Sequence, residues 1–129
     1  MSEPIPKRTD EVAKAIVDSA LTVHRELGPG LLESVYETCL AHELGNRGLS
    51  IQRQVHFPVV YQGERLEAGL RIDLLVDDCV VVELKAVEKS IPLFEAQLLT
   101  YLKLSGKRLG LLINFNVTLI KNGIKRLAL

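Results

Sequence analysis

Leu70-Arg-Ile-Asp-Leu-Leu-Val-Asp-Asp-Cys-Val-Val-Val-Glu-Leu-Lys-Ala86 reads as two β-strands joined by a tight turn at Asp77-Asp78. Ile72, Leu74, Leu75 and Val76 on one arm, and Val80, Val81, Val82 and Leu84 on the other, have the aliphatic and β-branched density of a buried sheet. Three charged residues, Asp73, Glu83 and Lys85, stand where such a sheet is apolar. A carboxylate in that setting costs several kcal/mol to desolvate unless it is paired or bound to a metal. The three therefore carry the question of function.

Glu83 and Lys85 are two apart, and side chains alternate along a strand, so both project from one face. The turn decides whether Asp73 joins them. A strict two-residue hairpin at Asp77-Asp78 pairs Asp73 with Val82, whereas an odd loop of Asp77, Asp78 and Cys79 pairs it with Glu83. The odd loop, or an equivalent bulge, is the reading adopted, because it gathers two carboxylates and an ammonium on one face. Two such carboxylates repel each other unless a divalent, oxygen-seeking cation such as Mg²⁺ or Mn²⁺ lies between them. A lysine beside the cation stabilises an anion or helps deprotonate water, which suits metal-assisted attack on a phosphodiester. A structural ion pair between Lys85 and one acid accounts for the same residues without function.

Asp73 followed after nine residues by Glu83-Leu84-Lys85 resembles the Asp…Glu-x-Lys signature of the PD-(D/E)XK nuclease superfamily. Gln97-x-x-x-Tyr101 is similar to the glutamine-tyrosine motif of its RecB-like branch, and Gly30-Leu-Leu-Glu33-Ser-Val-Tyr36 matches the motif that names the GxxExxY family within it. The resemblance runs from about Asp10 to Asn116. It implies that Asp73, Glu83 and the backbone carbonyl of Leu84 bind Mg²⁺ or Mn²⁺, and that Lys85 positions or deprotonates the attacking water. Glu33 then supplies a further ligand or holds a water at the metal. Gln97 lies beside the acids, orienting Lys85 or touching substrate, with Tyr101 in support and Tyr36 either bonded to an acid or, as favoured here, filling core volume. Ile72 stands where the superfamily's name has proline.

The chain has 129 residues, 47% of them apolar, which suits one domain with a respectable core. Sixteen basic residues balance sixteen acidic ones, so the molecule lacks the positive field of a strong, autonomous nucleic-acid binder. Arg47, Arg53, Lys103, Lys107, Arg108, Lys121, Lys125 and Arg126 are the candidates for a local basic patch; a solvated charged surface is the reading adopted for most of them. Cys39 and Cys79 lack Cys-x-x-Cys spacing and read as free thiols of a cytoplasmic protein. His24, His42 and His56 do not cluster. No secretory signal and no apolar run of membrane-spanning length is evident.

Residues 1–8 contain Pro4 and Pro6 and read as a loose arm. Thr9 or Asp10 caps a helix over residues 10–27, whose apolar face is Val12, Ile16, Ala20, Val23 and Leu27. Gly28-Pro29-Gly30 ends it. A second helix over residues 31–46 buries Leu32, Val35, Cys39, Leu40 and Leu44, with Glu33 in its first turn, where the helix dipole favours it. Ile51, Arg53, Val55, Phe57 and Val59 alternate with polar residues as a half-exposed strand, which Pro58 marks as an edge or a bulge. Gln62-Gly63-Glu64 turns the chain into the central hairpin. Ser90-Ile91-Pro92 starts a helix that carries Gln97 and Tyr101 and stops at Gly106. Leu109 to Phe115 reads as a buried strand added parallel to the sheet. Residues 117–129 read as a C-terminal β-ribbon turning at Asn122-Gly123.

The expected fold is α/β (α+β), a restriction-endonuclease-like core with a mixed β-sheet flanked by helices, in the order αα-βββ-α-β-ββ and as a single domain over residues 1–129. The resemblance implies a metal-dependent nuclease acting on nucleic acid, with DNA the substrate chosen. The alternative is a non-catalytic nucleic-acid-binding or protein-interaction module on the same fold. An edge strand or the ribbon offers a pairing surface for a homodimer, and a DNA-processing protein is a further partner that fits either reading.

Overall fold

A computed structural model describes residues 3–129. Two helices come first, α1 (Lys7–Leu27) and α2 (Glu33–Asn46), followed by three strands, β1 (Ile51–Tyr61), β2 (Glu64–Val76) and β3 (Val80–Lys85). A third helix, α3 (Pro92–Ser105), leads to β4 (Leu109–Asn114), a 3₁₀ turn (Ile120–Gly123) and β5 (Ile124–Ala128). The strands form one sheet in the order β1-β2-β3-β4-β5, antiparallel throughout except for the parallel pair β3 and β4. This is the mixed α+β architecture expected, with helices on both faces of the sheet.

Two apolar layers hold it together. On one face Val12, Ile16, Ala20, Tyr36, Leu40 and Leu44 from α1 and α2 meet Leu74, Val82, Leu84, Leu111 and Phe115. On the other, Leu98 and Leu102 of α3 meet Leu70, Ile72, Leu75, Val81 and Leu112. Strand β4 is buried along its whole length because it lies inside the sheet with helices above and below. Gly110 lets α3 close on it, since a Cβ there would come within 2.9 Å of Leu98 Cδ1.

Several local expectations change. The first helix begins at Lys7, with Pro6 at its N-cap; the Asp10 N–H already reaches the Pro6 carbonyl at 3.1 Å. Of the arm expected over residues 1–8, residues 1 and 2 lie outside the described residues, and Lys7 and Arg8 are helical. Ile5 packs on the core and the Glu3 carbonyl accepts from Arg108, so this segment is tied down. Thr9 is buried instead of capping, and Asp10 pairs with Arg126. In α2 the buried residues are Tyr36, Glu37, Leu40 and Leu44, while Leu32 and Val35 are exposed.

The C-terminal ribbon over residues 117–129 is a single strand. Asn122-Gly123 closes a 3₁₀ turn, and only β5 pairs with β4. The reason is tertiary: Gly123 is pressed against the Asn114 carbonyl and Val117, so the segment follows the end of β4 and forms no hairpin of its own. In β1 both readings of Pro58 hold, because the strand is the sheet edge and its register shifts between Phe57 and Val59.

Candidate active site

The β2–β3 register runs Val76↔Val80, Leu75↔Val81 and Leu74↔Val82, which fixes the three-residue loop of Asp77, Asp78 and Cys79. Asp77 and Asp78 both take left-handed φ values, 49° and 55°, which aspartate tolerates better than most residues. Pairing stops at Leu74↔Val82, one step before Asp73 and Glu83 would meet. There the strands part. The Leu84 N–H, which would otherwise extend the ladder, donates to Asp73 Oδ2 at 2.9 Å. A residue in an extended strand points its N–H and C=O to the same side. The Leu84 carbonyl therefore opens into the same gap.

Asp73 and Glu83 are both buried, and their carboxyl groups contact each other. Burial, then the neighbouring Asp73, pushes the Glu83 carboxyl up to about 10, so it holds a proton at neutral pH. Glu83 Oε1 is buried without a hydrogen-bond partner. Lys85 projects from the same face of β3, and its Nζ stands 4.4 Å from the centre of the Phe94 ring. Phe94, in the first turn of α3, thus gives the ammonium a seat.

From farther along α3, Tyr101 comes close enough to both acids that burial, then Glu83 and Asp73, raise its phenol pKa. Gln97 Nε2 donates to the Tyr101 hydroxyl at 3.0 Å, so the glutamine is bonded to the tyrosine rather than to Lys85. Glu33, exposed at the N-terminus of α2, has its carboxyl pKa raised by desolvation and by Asp73, with Lys85 and Arg71 acting the other way. It forms the rim of the acid pair. Tyr36 lies apart from the acids and wholly buried. Its ring stacks on Phe115 with centroids 4.5 Å apart, and its hydroxyl donates to the Gly28 carbonyl and accepts the Leu31 N–H. Tyr36 thus anchors the connection that sets where Glu33 begins.

Two residues of the site escaped the sequence reading. Glu37 is buried on α2, one turn beyond Glu33, and its carboxylate takes Arg53 on one oxygen and Gln54 on the other. The signal was present: an acid four residues after Glu33 on an otherwise apolar helix face. Gln54 had no comparable mark. The pairs Arg53↔Leu74 and Val55↔Ile72 put it opposite Asp73, and its Nε2 spans Glu37 Oε1 and Asp73 Oδ1, the latter at 3.4 Å.

The apolar face of both strands changes sides here. Ile51 and Leu74 pack toward α1 and α2, whereas Val55 and Ile72 pack toward α3. The uniform alternation expected along β1 is therefore broken at Gln54, whose φ of 52° turns the chain over.

Among the described residues no three Asp, Glu, His or Cys side chains converge into a complete metal cage. What is present suits a cation that retains several waters or phosphate oxygens: two touching carboxyls, an unpartnered carboxyl oxygen and a backbone carbonyl facing the same gap. The basic residues considered for a patch are largely engaged elsewhere. Arg47 pairs with Glu43, Arg53 with Glu37, Lys107 with Asp78, Lys125 with Glu95 and Arg126 with Asp10. Cys39 and Cys79 are free thiols. Among the described residues no helix is long and apolar enough to cross a membrane.

No curated protein matches the chain. Among solved structures, the crystal structure of SSO0001 is similar over 93% of this chain at 19% sequence identity and a TM-score of 0.48. The matched region spans 60% of that protein's chain. The family model described as the PD-(D/E)XK nuclease superfamily matches residues 10–127, nearly the whole chain. With a mixed five-stranded sheet carrying Asp73, Glu83 and Lys85 at the point where its central hairpin opens, the chain belongs to the PD-(D/E)XK nuclease superfamily.

Proposed function

We propose that this protein is a metal-dependent nuclease that hydrolyses phosphodiester bonds of nucleic acid, with DNA the expected substrate. The observation that carries this reading is the contact of the Asp73 and Glu83 carboxyls in the gap between β2 and β3, on the face from which Lys85 projects. A carboxyl pair so placed is unfavourable by itself, since Glu83 keeps its charge only if a cation offsets both burial and Asp73. Asp73, Glu83 and the Leu84 carbonyl would hold Mg²⁺ or Mn²⁺, with Glu33 at the rim. When bound, that cation supplies Lewis-acid polarisation of the phosphate and lowers the pKa of the attacking water.

The chain's own groups do the rest. Lys85, seated on Phe94, supplies positive charge to the phosphate as negative charge develops, or accepts a proton from water as an amine. Water oxygen adds to phosphorus, the bond from phosphorus to the 3′ oxygen breaks, and a proton passes to that oxygen. The products are a 5′-phosphate and a 3′-hydroxyl. Tyr101 and Gln97 wall the site from α3, and their hydrogen bond supports assignment to the RecB-like branch. The anchoring of Tyr36 beside Glu33 supports the GxxExxY assignment, because it gives that motif's glutamate and tyrosine distinct uses. Free thiols suit the cytoplasm. A homodimer formed through the open edge of β1, or a DNA-processing partner, would add the phosphate contacts that a neutral chain lacks.

A second reading rests on one observation: Arg47, Lys107, Lys125 and Arg126, outside the site, are each neutralised by a carboxylate, as an interaction module would allow. Calorimetry with Mg²⁺ and Mn²⁺ on the wild type and Asp73→Ala, with cleavage of single- and double-stranded DNA and RNA on the same samples, separates the two. Binding and cleavage lost together in the variant are expected. A wild type that neither binds metal nor cuts any of the four substrates would favour the module.

A further inference from the structure

Gln54 combines features that a strand residue rarely has at once. Its φ of 52° is left-handed, a conformation that costs an L-residue with a side chain and persists only where its surroundings enforce it. Its side-chain oxygen Oε1 is buried with no partner, a second cost. It also stands opposite Asp73, at the step where the apolar faces of β1 and β2 change sides. Nothing in the local sequence asks for this. No glycine or turn residue is present, and Arg53 and Val55 on either side pair normally with β2.

The polar contacts show what the conformation achieves. Because the amide is turned so that Nε2 faces the acids, one group donates to both Glu37 Oε1 and Asp73 Oδ1, and Oε1 is left over. Glu37 is itself fixed by Arg53 and buried on α2. Asp73 is therefore held from two sides, by the Leu84 N–H on Oδ2 and by Gln54 on Oδ1, and the second hold is relayed to a helix. In a regular strand Arg53 and Val55 would share one face; the turn at Gln54 instead sends Arg53 to Glu37 on α2 and Val55 to the layer under α3.

We infer that Gln54 is a positioning residue, whose strained backbone is retained to aim the Asp73 carboxylate at the cation and tie it through Glu37 to α2. The inference rests on the metal-site reading of Asp73 and Glu83. Groups of this kind, which orient a ligand without touching the metal, change metal affinity by roughly 10- to 100-fold when removed. A purely structural residue would show its loss in stability instead.

The test is Mn²⁺ affinity by calorimetry, together with the melting temperature of the metal-free protein, for the full chain carrying Gln54→Gly, Gln54→Asn or Glu37→Gln. Gln54→Gly removes the backbone strain along with the amide. Gln54→Asn keeps a residue that tolerates the left-handed region, but its amide is one methylene short of the carboxylates. Both should bind Mn²⁺ about tenfold or more weakly than the wild type; the asparagine variant, which keeps the strain and leaves Glu37 and Asp73 without their donor, should also melt lower, and the glycine variant, relieved of the strain, should melt above it. Glu37→Gln should weaken binding in the same direction. Affinities within twofold of wild type in both Gln54 variants, whatever their melting temperatures, would overturn the inference while leaving the metal site standing. A wild type that binds no Mn²⁺ would overturn the metal-site reading and this inference with it.

Discussion

Asp73 Oδ2 accepts the Leu84 backbone N–H at 2.9 Å, so a side chain of β2 takes over a hydrogen bond that its backbone has ceased to provide. The two strands can thereby separate without orphaning a buried donor. The gap that results brings the Glu83 carboxyl against Asp73.

Glu83 makes the metal-free protein sensitive to base. Its carboxyl titrates near 4.5 when unfolded and is pushed to about 10 in the fold, chiefly by burial and then by Asp73. The folded state therefore binds more protons than the unfolded state between those values. The stabilising contribution is complete below the lower value and is lost as pH rises toward the upper one, with a ceiling of about 1.4 kcal/mol per pH unit for one proton. Thermal melts in EDTA should drop steadily from pH 5 to pH 9 in the wild type and much less in Glu83→Gln. Added Mn²⁺ should release protons and reverse the drop. Equal pH slopes in the two proteins would remove Glu83 as the cause.

On the proposed function, Lys85 is expected to act on the reaction and not on metal retention. Its ammonium lies over Phe94 on the face of the acid pair and exerts a favourable field on Glu83. Lys85→Ala should lower cleavage by roughly 10²–10³-fold, the usual cost of deleting a group that stabilises developing charge. Removing a cation beside a cation site should leave Mn²⁺ affinity equal or stronger. Cleavage unchanged in this variant, alongside its loss in Asp73→Ala, would leave the metal role intact and cancel that of the lysine.

The residues of this hairpin were legible because they broke a pattern: charges in apolar strands demand an explanation, and Asp77-Asp78 admits the left-handed loop that sets the register. Glu37 was legible in principle, as an acid one turn after Glu33 on the face that also carries Tyr36 and Leu40. Gln54 was not, since a polar residue in a half-exposed strand looks ordinary. Its conformation follows from Glu37 and Asp73, which are distant in sequence. Asn122-Gly123 misled for the opposite reason. Its local preference for a hairpin is real, but contact with the end of β4 outweighs it.

Tyr36→Phe should uncouple stability from metal binding. The phenyl ring keeps its stacking on Phe115, but the Gly28 carbonyl loses its donor and the Leu31 N–H its acceptor. The cost is about 1–3 kcal/mol. Melting should fall by several degrees, since about 1 kcal/mol moves a domain of this size by roughly 3–6 °C, while Mn²⁺ affinity below the transition stays within about twofold. A large loss of affinity without a loss of stability would give the hydroxyl a role at the metal that its contacts do not suggest.

Gly69 is the residue on which the outer half of the β1–β2 hairpin depends. The register passes from Phe57↔Leu70 to Val59↔Leu66, so β2 fits Glu67, Ala68 and Gly69 opposite Pro58 alone. This crowding brings Gly69 against Val59: a Cβ at position 69 would lie 2.6 Å from Val59 Cβ and 2.9 Å from its backbone nitrogen. Neither atom is the free end of a flexible side chain, so Gly69→Ala must displace the strand. That strand carries Val55, Phe57 and Val59 onto the layer formed with Leu98 and Leu102. Overpacking of this kind costs about 1–3 kcal/mol. Trimming the partner with Val59→Ala should restore little, because the obstructing Cβ and nitrogen remain. The pairs Arg53↔Leu74 and Val55↔Ile72, which flank Gln54 and Asp73, lie beyond the irregularity. Mn²⁺ affinity should therefore survive in the folded fraction even as melting falls. A Gly69→Ala protein as stable as the wild type would mean that the strand yields freely at Val59, and that the close approach of the two chains there constrains nothing.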